Sequence, residues 1–190
     1  MSRPDLVLAS KSTVRRTLLS GAGVTLSVHD AAVDEDAIKQ NALKNHLSAP
    51  EIAARLATAK AQTVSALFPN ALVIGCDQVL ELDGNIFDKP INLEEARGHL
   101  RAFSGKTHQL IAAISLVQDG HPLWQTIDSA ALKVRALSAD FIETYIANEG
   151  EAVLSSVGAY RLESMGAQLF DEIDGDYFTV LGLPLLPLLE

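Results

Sequence analysis

The chain has a single cysteine, Cys76, in 190 residues, so no intramolecular disulfide is possible. Its fold must rest on a packed core, and a reducing compartment is expected. Positive charge is also scarce: 15 Lys and Arg stand against 24 Asp and Glu, a net charge of −9. Sequence-independent nucleic-acid binding needs basic surface and is not expected, whereas a small polyanion in a local basic pocket remains open. No apolar run approaches the ~20 residues of a membrane span. The first strand signal, DLVLAS, begins at Asp5, which leaves no room for a signal-peptide layout. The expectation is a soluble, cytoplasmic protein. Aromatics contribute only 5%, but 48% of the residues are hydrophobic, enough to build one compact domain over 1–190 or two lobes sharing a cleft.

Helical and strand signals interleave along the chain. Leu6-Val7-Leu8 reads as a short buried strand, and Ser12 offers an N-cap to a helix that ends at Gly21 or Gly23. The acidic run Asp34-Glu35-Asp36 reads as a solvated loop before a longer helix starting near Pro50. Residues 71–90 form a hairpin turning at Asp83-Gly84. Asn92 and Glu95 open a further helix. Residues 108–118 and 123–127 read as strands joined at Asp119-Gly120, with another near 131–134. Ser138 caps a helix through Ile146. Gln168–Ile173 reads as a strand, Asp174-Gly175-Asp176 as a turn, and a short helix comes after Pro184. Helices alternating with hairpins predict an α/β fold with a mixed sheet.

Two charged residues break this pattern. Asp77 and Gln78 interrupt an apolar strand marked by Leu72, Val73, Ile74, Val79, Leu80 and Leu82. A carboxylate there needs a cation, a metal or several donors. The returning strand of the hairpin brings Lys89, so the candidates are a buried Asp–Lys pair that fixes the hairpin or a functional site. In the helix after Pro50, Ile52, Leu56, Val64 and Leu67 fall within an arc of about 120°. Lys60 sits in the middle of that arc. Its ammonium either snorkels past its neighbours to water or enters a site between helix and sheet.

Near the N-terminus, LASKSTVRR sets Ser10 and Ser12 after a strand, with Arg15 and Arg16 in the first helical turns. Hydroxyls, guanidinium groups and a helix start all suit phosphate oxygens, although adjacent arginines diverge by about 100°. A second carboxylate beside Asp77 would make an oxygen-rich site suited to magnesium. Phe103-Ser104-Gly105-Lys106-Thr107 ends like a Walker A loop, but Leu100 stands where that loop requires glycine. The histidines lack zinc spacing, and no GxSxG occurs.

Together, LASKSTVRR, VDED, RLATAKA, VIGCDQVLELDGNIFDKP, FSGKTH, GAYRLES and DGDYFTVLGLP resemble the Maf family of nucleoside triphosphate pyrophosphatases, in that family's order and over nearly the whole chain. The resemblance implies a mixed α/β fold with two lobes around a deep cleft, often homodimeric. It implies hydrolysis of a nucleoside triphosphate to the monophosphate and pyrophosphate with Mg²⁺ or another divalent cation. Carried onto this chain, Asp77, Glu35, Lys60 and Lys89 are the catalytic positions, with Glu35 and Asp77 also holding the metal. Ser10, Arg15 and Arg16 bind substrate. The segment from Ser10 to the arginine pair is one residue longer than in members preferring dTTP and UTP. With Asp77-Gln78 and Glu163, that resembles the subgroup acting on 7-methyl-GTP, whose specificity positions fall on Val14, Gln78 and Glu163. Val14 departs from the tryptophan expected there and offers no aromatic face to a cationic base. A UTP/dTTP-type enzyme, a house-cleaning enzyme for other non-standard nucleotides and a non-catalytic nucleotide-binding regulator of cell division are the alternatives.

Overall fold

The computed structural model describes residues 5–190, so the reading of the first few residues as too short for a signal peptide lies outside it. In chain order the elements are β1 (Leu6–Ala9), α1 (Thr13–Gly21), β2 (Ser27–His29), α2 (Glu35–Lys44), α3 (Ala49–Ser65), β3 (Leu72–Leu82) and β4 (Asn85–Phe87). They continue with α4 (Leu93–Phe103), β5 (Thr107–Gln118), β6 (His121–Val134), α5 (Ala139–Glu149), β7 (Phe170–Asp174), α6 (Tyr177–Val180) and α7 (Leu185–Leu189). Two 3-10 segments, Gly150–Ser155 and Met165–Leu169, lie between α5 and β7.

The sheet is mixed and seven-stranded, ordered β2-β1-β3-β5-β6-β7 with β4 on β3, in line with the α/β fold and mixed sheet expected from the sequence. β1 runs parallel to β2 and β3, whereas β3–β4 and β6–β7 are antiparallel. Both hairpins turn where the Asp-Gly pairs stand in the sequence. Asp83 and Gly84 take φ of 53° and 78°, and Asp119 and Gly120 take 50° and 79°. Positive φ at both central residues is what a tight twisted hairpin demands.

Four expectations differ from the structure. Residues 123–127 and 131–134 belong to one strand, β6, because pairing continues through the polar stretch between them. Asp34-Glu35-Asp36 is not a loop: the Asp34 side chain accepts from the Ala37 amide and Glu35 opens α2. Asp176 likewise does more than turn the chain, since its carboxylate caps α6 through the Phe178 and Thr179 amides. Leu67 lies beyond the end of α3 and is exposed.

The chain divides into two compact units. One comprises the chain up to Gln78 with Ile111–Asp128 and Asp176–Glu190; the other comprises Val79–Leu110 and Ser129–Gly175. In the first unit, the alternation of side chains along β3 separates two cores. Val73 packs with Val7, Ala9, Ala61 and Val64 on the α3 face. Ile74 and Cys76 pack with Leu8, Leu19, Leu183 and Leu185 on the other face. In the second unit, buried His108 shares a hydrogen bond of 2.7 Å between its Nε2 and the Tyr160 hydroxyl, within an aromatic group that includes Phe103 and Phe170. Burial pushes His108 down to about 4, so it is a neutral core residue near pH 7.

Candidate active site

From β1 the chain goes first to β2 on one side and then to β3 on the other. Strand order therefore reverses at β1, and the carboxyl end of β1, with the part of β3 just beyond its pairing with β1, flanks the kind of point where open α/β sheets bind ligands. Ala9 pairs with Gly75 as the last matched residues. Ser10 comes next on one strand, and Asp77 lies two residues further on the other.

Asp77 shares its strand face with Val73 and Gly75, the face covered by α3. Gly75 permits close seating of that helix. A Cβ there would lie 2.1 Å from the Ala57 carbonyl oxygen and 2.8 Å from the Ala61 Cβ. The small residues Ala57 and Ala61 complete the approach, and Lys60 reaches Asp77 from the same helix face. Gly75 was not singled out from the sequence, although a glycine within an apolar strand signals close backbone approach. Gly75→Ala is expected to cost about 1–3 kcal/mol by overpacking. Urea unfolding checks this, and an unchanged midpoint would show that α3 does not bear on the strand there.

Lys60 does not snorkel to water. It is buried, and its Nζ lies 2.5 Å from Asp77 Oδ1 and 2.9 Å from Glu35 Oε1. The three residues predicted from separate segments thus converge, with the ammonium between two carboxylates. Asp77 is buried, whereas the Glu35 side chain is 42% exposed and forms the solvent side of the group. Burial pushes the Asp77 carboxyl above its ordinary value, opposed by the positive charges of Lys60 and Arg15. Lys60 engages Oδ1, and Oδ2 accepts no hydrogen bond among the described residues. The site therefore presents a carboxylate of raised basicity with an open oxygen, bordered by a fixed cation.

Ser10 is buried, and its Oγ accepts from the Ser12 amide at 3.2 Å. Arg16 is exposed, and its side chain has no partner among the described residues. Arg15 differs: Nε donates to the Gly182 carbonyl at 2.8 Å, and Nη1 donates to the Cys76 carbonyl at 2.9 Å and to Ser10 Oγ at 3.3 Å. Gln78 lies on the opposite face of β3 from Asp77. Its Nε2 donates to the carbonyls of Thr179 and Val180 at 3.1 and 3.0 Å. Val14 is half-buried on the first turn of α1.

Lys89 and Glu163 belong to the second unit. Lys89 is exposed, two residues past the end of β4, whose pairing with β3 stops at Phe87. Glu163 is exposed and accepts from Arg161 Nε at 3.4 Å. Arg161 also pairs with the buried Glu149, which accepts from Ser164 Oγ and the Met165 amide.

The model of the Maf-like protein family matches residues 5–190, and the chain belongs to that family. A 7-methyl-GTP pyrophosphatase from Rhizobium etli is 50% identical over 98% of this chain and 94% of its own length. One of the same name from Brucella suis is 50% identical over 97% of this chain and 92% of its own. A nucleoside triphosphate pyrophosphatase from Granulibacter bethesdensis is 47% identical over 97% of this chain and 93% of its own. Among the described residues no helix is long and apolar enough to cross a membrane.

Proposed function

We propose that this chain is a nucleoside triphosphate pyrophosphatase that hydrolyses its substrate to the monophosphate and pyrophosphate. One observation carries the reading: a buried carboxylate and a buried lysine, Asp77 and Lys60, meet Glu35 beside the carboxyl end of β1, where β3 runs on past its pairing with β1. Pyrophosphatases among its relatives, aligned over nearly the full chain, support it.

Hydrolysis requires water to attack the α-phosphorus, lose a proton and expel the β,γ-pyrophosphate as the Pα–O bond breaks. Asp77 takes the proton, and its raised carboxyl suits a general base. Lys60 holds Asp77 in place and offers positive charge to the phosphates. Arg16, exposed on the first turn of α1, and Lys89 neutralise the triphosphate and the departing pyrophosphate. Charge in such reactions spreads over phosphate oxygens, so positioning and electrostatics supply most of the catalysis.

The donor set fits a divalent cation. Magnesium is commonly held by one or two carboxylates with substrate phosphates completing its shell. Glu35 and Asp77 would hold it; among the described residues no cluster of three or more His, Cys, Asp or Glu is placed to do so. Bound there, the ion would offset phosphate charge and polarise the α-phosphorus.

For the base, Gln78 narrows the choice. Both hydrogens of its amide nitrogen are committed to backbone carbonyls. Its Oε1, like the Glu163 carboxylate, can only accept. Two acceptors suit the N1 and N2 N–H groups on the Watson–Crick edge of guanine, which favours 7-methyl-GTP or a related purine; uracil and thymine have one such donor group, at N3, and cytosine one, at its exocyclic N4. Pyrophosphate release should therefore be measured across 7-methyl-GTP, UTP, dTTP, CTP and ITP with Mg²⁺ or Mn²⁺, with a chelator as the control. UTP, dTTP and CTP, each with one donor group on that edge against two in guanine, are expected to be poorer than 7-methyl-GTP, by about 10²-fold or more in kcat/KM, because a hydrogen-bonding site rejects a ligand that leaves its groups unpaired. Equal use of CTP would overturn the base assignment. No release from any nucleotide would overturn the activity and favour a binding regulator.

A cytoplasmic setting and a homodimer complete the proposal. The buried thiol of Cys76 is compatible with a reducing compartment. Sedimentation at micromolar concentration reads the oligomeric state, and a monomer there removes the dimer from the proposal.

A further inference from the structure

The C-terminal motif DGDYFTVLGLP has no part in the chemistry above, yet it is tied firmly to the site. Thr179 is fully buried, and its hydroxyl donates to Asp128 Oδ2 at 2.6 Å. Leu183 is buried with Leu8, Ile74 and Cys76. The Thr179 and Val180 carbonyls hold the Gln78 amide, and the Gly182 carbonyl takes Arg15 Nε. Gly182 has φ of +84°, and a Cβ there would meet Arg15 Nη2 and Gln78 Oε1, each at 3.3 Å. Both the turn and the close approach therefore require glycine.

Arg15 is the hub. Its Nη1 reaches the carbonyl of Cys76, the residue before Asp77, and the hydroxyl of Ser10, while Nε holds Gly182. A guanidinium joins three points in this way because its donors are fixed in a planar fork, a geometry that lysine lacks. With Nε and Nη1 committed to the protein, only Nη2 of Arg15 is left without a hydrogen bond among the described residues, and the side chain is held in place, in contrast to exposed Arg16.

We propose that Arg15 is a positioning residue and not a phosphate ligand: it clamps the segment 176–183 to the Cys76 carbonyl and Ser10, and the clamp sets the position of Asp77. The proposal rests on the pyrophosphatase reading of the site.

The test uses the full chain with Arg15→Lys, which keeps the charge and removes the fork. With the best nucleotide of the panel, kcat is expected to fall ~10–100-fold, the scale of a small misplacement of reacting groups. KM and inhibition by inorganic pyrophosphate should stay within about threefold of wild type, because ground-state binding of phosphates is retained. Gly182→Ala leaves Arg15 in place but crowds its clamp, and is expected to show the same split. Amide hydrogen exchange at residues 76–78 should accelerate in both variants. A kcat that survives in Arg15→Lys, or a loss that appears wholly as weaker pyrophosphate and nucleotide binding, overturns the proposal. If wild type releases no pyrophosphate, the functional reading fails by itself, and exchange then decides the clamp: unchanged protection at 76–78 overturns it.

Discussion

Asp77→Asn is expected to lower pyrophosphate release ~10³-fold or more, with the fold retained, which lies within the range for loss of a positioned general base. Asparagine matches aspartate in size, and its carbonyl oxygen can still accept from Lys60. What disappears is the capacity to take a proton at the oxygen that Lys60 leaves open. Circular dichroism should match wild type. Release within ~10-fold of wild type would assign the base elsewhere, since even modest general-base catalysis exceeds that factor.

The same carboxyl makes activity and stability depend on pH in opposite senses. Burial raises Asp77 in the folded protein above its ordinary value. The folded state therefore binds this proton more tightly than the unfolded chain. Its contribution to stability is fully present below the unfolded value and is lost as pH rises through the folded one. Activity runs the opposite way, because the protonated base is inert. The acid limb of kcat/KM should lie above the usual carboxylate range, and stability from this residue should decline across the same window. Asp77→Asn should remove that decline.

Most strands, both hairpins and most helix starts were legible because each has a local cause. Asp-Gly turns need positive φ, caps need a side-chain acceptor, and buried strands need apolar residues. Asp77 and Lys60 were legible for the opposite reason: each violates the pattern of its own element. Glu35 carries no such contradiction, since three consecutive acids look alike in sequence. It is the capping role of Asp34 that starts α2 at Glu35, from which its side chain reaches Lys60. The contacts of Arg15 were hidden in another way. Its place beside Arg16 on a helix start points to phosphate, whereas its partners include Gly182, 167 residues away, and no local pattern encodes such a contact. The short helix α6 was hidden because Asp-Gly-Asp has the composition of a turn, and only the capping bonds from Asp176 mark Tyr177–Val180 as helical.

Lys60→Met should be the more severe substitution, because it removes the cation from between two carboxylates. Met fits the path of the lysine stem, so packing against Leu56 and Val64 changes little. Asp77, buried and deprived of its ion pair, then faces Glu35 with no ammonium between them. Turnover is expected to fall ~10³-fold or more, since catalytic groups that act as a unit fail together. Breaking a buried pair by removing one partner typically costs about 3–5 kcal/mol. Here that cost should depend on pH. Without Lys60 the Asp77 carboxyl rises further, and taking up a proton relieves the penalty in acid. Stability should therefore fall as pH rises, by at most about 1.4 kcal/mol per pH unit for one proton. Adding Asp77→Asn should recover much of the loss at pH 8, since no buried charge then lacks its partner. Urea unfolding from pH 5 to 8 on the single and double variants separates the possibilities. Near-normal turnover with a pH-independent loss of stability would make the lysine a structural strut. The expected pattern, turnover lost throughout and stability lost chiefly at high pH, would make Lys60 the counter-charge that keeps Asp77 ionised for its work.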